Sequence, residues 1–222
     1  MNLLAVECSA VAASCAIFTQ GKLTAEFFIN NGLTHSQTLI PMIEGAFEMS
    51  GQALDSIDAI AISIGPGSFT GVRIGICTVK GLAASRKIPC IPVSTLEGMA
   101  YSHLNLKGIL CPAMDARCSR VYNALFRCEN GKITRLCPDR AITVEDLYKE
   151  LSEFKEDIYL MGDGAELCYE SFEKKLALLL PENVRFQHAS GVGLAALEKN
   201  YEESIISPDK LLPFYLRGAK IN

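Results

Sequence analysis

The chain has no tryptophan, only three histidines and, despite nine cysteines, no C-x-x-C pair in its 222 residues. The cysteines run from Cys8 to Cys168, mostly inside apolar stretches, which is the usage of reduced thiols and excludes a zinc ribbon or a disulfide framework. Basic charge is also short: 21 Lys and Arg against 25 Asp and Glu leave a net charge of −4, so no basic field is available to hold a polyanion unaided. No apolar run reaches membrane-spanning length, and the opening "MNLLAVECSA" carries Glu7 and no basic leader. A cytoplasmic, unprocessed chain without a membrane partner is expected.

What is present is an apolar-rich, moderately charged composition able to bury one large core or two small ones. "LLAVECSAVAASCAIFTQGKLTAEFF" alternates as strands do, with Glu7 ending an apolar strand and a turn at Gln20 to Lys22. Residues 109–134 repeat the plan: an apolar strand ends in Asp115, an alternating strand follows, and a Gly-Lys turn lies at 129–132. The first half continues with a helix whose apolar residues sit at 39, 40, 43, 46 and 47, with Thr34 or Ser36 as candidate N-caps; Pro41 would fall in the second turn of a helix capped at Thr34, which predicts a kink or a start nearer to Thr38. Then come a buried strand "IDAIAISIG", a helix "TGVRIGICTVKGLAASRK" and a strand "IPCIPVS". The second half adds helices from about Thr143, from Ala165 to Leu180 and from about Gly191, with strands "DIYLMG" and "VRFQHA". This alternation predicts an α/β architecture of two similar lobes, 1–104 and 105–222, with a seam near 100–108.

Four places could carry chemistry. "SIGPGSFTGVRIG" runs from a strand into a helix start, where free N–H groups and the helix dipole hold phosphates. Its glycines at 65, 67, 71 and 75 do not follow the dinucleotide spacing, and no G-K-[ST] appears, so turning, capping by Ser68 or Thr70 and close helix packing fit better. His35 would need a ligand partner at position 39, which is Leu; a hydrogen-bonded structural role is the plainer reading. Glu7 and Asp115 could face one cleft and hold Mg²⁺ with a nucleotide, or could cap neighbouring N–H groups; the turns after them, "CSA" and "ARC", have no glycine for a phosphate. "MGDGAE" at 161–166 suits either an adenosine contact or a tight turn into a helix.

"HSQTLIPMI" at 35–43, "GPGSFTGVRIG" at 65–75, "DARCSRVYNALF" at 115–126, "GDGA" at 162–165 and "LPFYLR" at 212–217 resemble the TsaB family, formerly YeaZ, from end to end. The resemblance implies the duplicated actin-like fold of sugar kinases and Hsp70 (ASKHA). It also implies a subunit of the bacterial machinery forming N6-threonylcarbamoyladenosine at position 37 of tRNAs that read ANN codons. In that family the paralogue TsaD carries the H-x-x-x-H metal site and performs the transfer, TsaE is an ATPase, and TsaB is a platform. By this reading the chain has no catalytic, cofactor or metal residues of its own and meets tRNA only through the complex. The alternative is a catalytic ATP-dependent member of the superfamily, or a glycopeptidase-type hydrolase.

A partner surface is expected on the two helices of the first half. Gly71, Gly75, Thr78 and Leu82 recur at helical spacing as a narrow stripe, and Leu39, Ile43 and Ala46 form a second one, while Ile74, Ile76 and Cys77 are left to face the sheet. The stripes would form a four-helix interface with TsaD or, in the chain alone, with a second copy, the two competing for one patch.

Overall fold

The computed structural model describes residues 1–216. Arg217, the last residue of the "LPFYLR" motif, lies outside them. The elements in order are β1 (Leu3–Glu7), β2 (Ala13–Thr19), β3 (Lys22–Ile29), α1 (His35–Ser50), β4 (Ala59–Ser63), α2 (Phe69–Arg86), β5 (Cys90–Val93) and α3 (Thr95–Tyr101). They continue with β6 (Gly108–Asp115), β7 (Arg120–Asn123), β8 (Phe126–Glu129), β9 (Lys132–Arg135), β10 (Arg140–Thr143), α4 (Val144–Leu151), β11 (Ile158–Met161) and α5 (Ala165–Ser171). β12 (Leu178–Leu179), α6 (Glu182–Arg185), α7 (Ala189–Leu197) and α8 (Tyr201–Ser204) complete the order. By contacts the described residues divide into two compact units, one of residues 1–98 and 187–214, the other of 99–186 with 215 and 216.

The first unit holds a sheet ordered β3-β2-β1-β4-β5, with β1 to β3 antiparallel and β1, β4 and β5 parallel. The path β10-β7-β6-β11-β12 in the second unit has the same sequence of senses: antiparallel on one side of β6, parallel on the other. The repeat read from the strand-end acids is thus a repeat of topology. The second half differs where "VYNALFRCE" is cut into β7 and β8, which pair with different stretches of β6, and the Gly-Lys turn joins β8 to β9.

In the first unit one sheet face carries Leu4, Val6, Cys15, Ile17, Ile60 and Ile62 against α1 and α2. The period of two along each strand sends the alternate residues to the other face, where α7 packs on β1, β2, β4 and β5 and Gly193 lies against the buried Phe18 ring. α7 is anchored at its start by the sheet: Ala189 N–H donates to Ser14 Oγ at 2.8 Å and Ser190 N–H to Glu26 Oε1 at 2.8 Å, which satisfies two donors that no local cap serves. In the second unit α4 and α5 pack on the sheet through Leu147, Leu151, Cys168 and Phe172; Thr143 caps α4 by accepting from Asp146 N–H.

Three expectations are corrected. α1 starts at His35 with Thr34 as its N-cap, one of the two candidates, and not near Thr38; the helix accommodates Pro41 because it and Gln37, whose carbonyl it cannot serve, are both exposed residues on the solvent side. The helix from Ala165 stops at Ser171, where Glu173 and Lys174 take positive φ, because Leu178 and Leu179 extend the sheet by pairing with β11. "VRFQHA" is no strand; it ends α6 and leads into α7.

Candidate functional site

The chemistry-bearing residues gather at the carboxyl end of β1 and its counterpart β6. Glu7 is 1% exposed, and its Oε1 accepts the Ser9 N–H at 2.6 Å. Burial pushes its pKa up, against the opposing pull of the nearby Ser9 and Ser63 hydroxyls, the Ser9 N–H and His35. Neither hydroxyl reaches full hydrogen-bond geometry. In the second unit Asp115 Oδ1 accepts the Arg117 N–H at 2.8 Å, two residues on as for Glu7, and the turn it caps is left-handed at Arg117, Cys118 and Ser119. Each strand-end acid is therefore engaged by its own turn.

The glycine-rich stretch serves the chain itself. A Cβ at Gly65 would collide with Phe214 O, at Gly67 with Ser9 O, at Gly71 with Cys8 O and at Gly75 with Cys8 Sγ. Gly65 adds φ +116°, a conformation that L side chains rarely adopt, and Ser68 caps α2 by accepting the Gly71 N–H at 3.2 Å. Ser68 N–H itself donates to Ser9 O at 2.6 Å. The loop thus threads between the β1–β2 turn and the 211–214 segment, and its Ser68 and Gly71 N–H donors are taken up within the chain. "GDGA" behaves likewise: Gly162 has φ +97° and donates to Arg185 O, while Gly164 donates to Ala113 O at 2.9 Å and lies so close to the Met114–Asp115 backbone that no Cβ fits without a shift.

His35 opens α1, and its Nε2 donates to Ala10 O at 2.7 Å. Among the described residues no group of three or more His, Cys, Asp or Glu is placed to hold a metal ion, and all nine cysteines are free thiols.

The two helix stripes are not where the sequence spacing put them. Leu39, Ile43 and Ala46 are 1%, 2% and 0% exposed and belong to the unit's own core, and Gly71 and Gly75 are buried against Cys8. Thr78 and Leu82 are half-buried on the flank of α2. Cys77, expected to face the sheet, is exposed, Ile74 is half-buried, and Ile76 alone of that set is buried. The reason is phase: the residues that meet the sheet are Val72, Ile76, Val79 and Ala83, an apolar spacing of four, three and four, with the small residues beside them because the β1–β2 turn comes within contact distance. Both spacings stand in the sequence, and the packing separates them. The outward faces carry Ile40, 40% exposed, and Glu44 on α1, and Cys77 and Gly81 on α2.

Among the described residues no helix is long and apolar enough to cross a membrane. The family model "TsaD: tRNA N6-adenosine threonylcarbamoyltransferase" matches residues 31–217. The tRNA threonylcarbamoyladenosine biosynthesis protein TsaB of Escherichia coli is 31% identical over 222 residues, covering 98% of this chain and 95% of the relative. The solved structure of YeaZ from Pseudomonas aeruginosa superposes with a TM-score of 0.82 at 27% identity, over 97% of this chain and 99% of that one. Component A of the Acidaminococcus fermentans (R)-2-hydroxyglutaryl-CoA dehydratase, at 11% identity, TM-score 0.52, 92% of this chain and 99% of that one, shares the fold alone. With that duplicated actin-like fold and a near-complete match to a named relative, the chain belongs to the TsaB family, within the wider group that the TsaD model describes.

Proposed function

We infer that this chain serves N6-threonylcarbamoyladenosine formation on tRNA as a non-catalytic subunit, docking the paralogue TsaD and working beside the TsaE ATPase in the cytoplasm. The carrying observation is that the parts a phosphate or cation would need are already engaged inside the chain. Glu7 and Asp115 cap their own turns, and the glycines of "GPGSFTG" are filled by the Cys8–Ser9 backbone and Phe214 O. An acidic chain of this kind meets tRNA through its partners. The duplicated lobes are taken as 1–104 and 105–222, with 187–214 returning to the first. The docking surface is the outward face of α1 and α2, centred on Ile40, Cys77 and Gly81 and flanked by Ile74, Thr78 and Leu82. A second copy of the chain would use the same face when the paralogue is absent.

Reconstitution tests this. The isolated chain with ATP–Mg²⁺ should give no turnover, and tRNA modification by TsaD with TsaE should depend on adding the chain. ATP turnover by the chain alone that disappears in Glu7→Ala would overturn the reading and favour the catalytic alternative.

A further inference from the structure

The turn Cys8–Ala10 presents all three of its carbonyl groups to the first turns of α1 and α2. Ala10 O accepts from His35 Nε2 at 2.7 Å, Ser9 O accepts from Ser68 N–H at 2.6 Å, and Cys8 O lies where a Cβ on Gly71 would stand. Cys8 Sγ also donates to Gly71 O at 3.3 Å. The turn is fixed on β1 by Glu7, through the Ser9 N–H. The His35 ring touches both helices' surroundings: it belongs to α1, bonds the turn, and its Cδ2 lies 3.3 Å from the position a Gly71 Cβ would take on α2. Thr34, the N-cap of α1, makes no side-chain cap bond, so the imidazole is the polar group that ties the first turn of α1 to the sheet end.

We propose that His35 is a positioning residue for partner docking: bonded to Ala10 O and with its ring against the space that a Gly71 Cβ would fill, it sets the separation of the first turns of α1 and α2. This rests on the docking reading above. The remainder of α1 is held by Leu39, Met42, Ile43 and Ala46, all buried, so the fold does not depend on the ring. The relative placement of the two outward faces does. A shift of a fraction of an ångström between them is repeated along the whole two-helix surface, where a close-packed interface tolerates little mismatch.

The test pairs binding with stability, using the full chain and its TsaD paralogue in sedimentation velocity and titration calorimetry, and thermal unfolding of the chain alone. His35→Ala should weaken association by about tenfold or more, with the melting temperature nearly unchanged. His35→Gln, whose amide N–H can reach Ala10 O, should recover most of the affinity. Unchanged affinity in His35→Ala, unfolding of that variant, or no recovery in His35→Gln would each overturn the proposal. Absence of association by the unmodified chain would instead overturn the docking reading itself, a distinguishable result.

Discussion

Gly75→Ala separates an internal role of the glycine stripe from an interfacial one. On an exposed helix face the change would stabilise the chain by about 0.8–1.0 kcal/mol, through lower backbone entropy in the unfolded state. At position 75 the new Cβ collides with Cys8 Sγ and stands 3.1 Å from Ile62 Cδ1. Cys8 is fully buried and held by its bond to Gly71 O, so it cannot swing away without losing that contact. Overpacking of this kind costs about 1–3 kcal/mol, leaving a net loss of about 1 kcal/mol after the helix gain. Cys8→Ala alone removes the sulfur and costs about 1 kcal/mol as a small cavity. In the double variant the alanine methyl occupies the space of the sulfur, and stability should return close to that of the unmodified chain, a coupling of about 2 kcal/mol. Urea unfolding followed by circular dichroism reads all four corners of the cycle. Gly81→Ala is the control, since nothing lies within 4 Å of its would-be Cβ; it should stabilise by about 0.5–1 kcal/mol. Additivity within about 0.5 kcal/mol, or a Gly75→Ala as stable as Gly81→Ala, would refute the packing argument.

Further outcomes follow from the same geometry. Ile43→Glu places a charge in the core and should unfold the first unit, at a cost upward of about 4 kcal/mol, whereas Ile40→Glu should keep the circular dichroism and melting profile and lose partner association. Glu7 has a folded pKa above its unfolded value near 4.5, so its contribution to stability is complete below that pH and is lost as pH rises through the folded value; Glu7→Gln should flatten this fall and melt higher than the unmodified chain at pH 8. Glu26 behaves oppositely. Burial would raise its pKa, but the hydrogen bonds from His188 and Ser190 outweigh it and hold the carboxyl below 4.5, so its stabilisation exists above that pH and is lost on acidification. Melting curves from pH 6 to 3 should therefore fall more steeply for the unmodified chain than for Glu26→Gln.

Much of this protein is determined locally. The apolar runs of β1 and β2, the acid at each strand end, the Ser68 cap and the apolar strand before "GPGSFTG" are properties of short stretches, and each formed as its residue order dictates. The family could likewise be recognised from five short motifs, two of which, "GPGSFTGVRIG" and "GDGA", hold glycines where a neighbouring segment leaves no room for a Cβ. Local order did not decide which side of a helix faces in. Leu39, Ile43, Ala46, Gly71 and Gly75 satisfy the spacing of an external stripe as well as that of a core face, since a helix of period 3.6 offers both to any residue set at i, i+4. For α2 the choice is settled by the Cys8–Ala10 turn, 60 or more residues distant in sequence, which occupies the space beside the glycines, and for α1 by β2 and β3, which cover Leu39, Ile43 and Ala46. The ends of the second-half elements were open for the same kind of reason: Leu178 and Leu179 suit a helix until β11 offers them a strand edge. Period and capping are set by neighbours in the chain, whereas burial is set by whatever segment arrives from elsewhere.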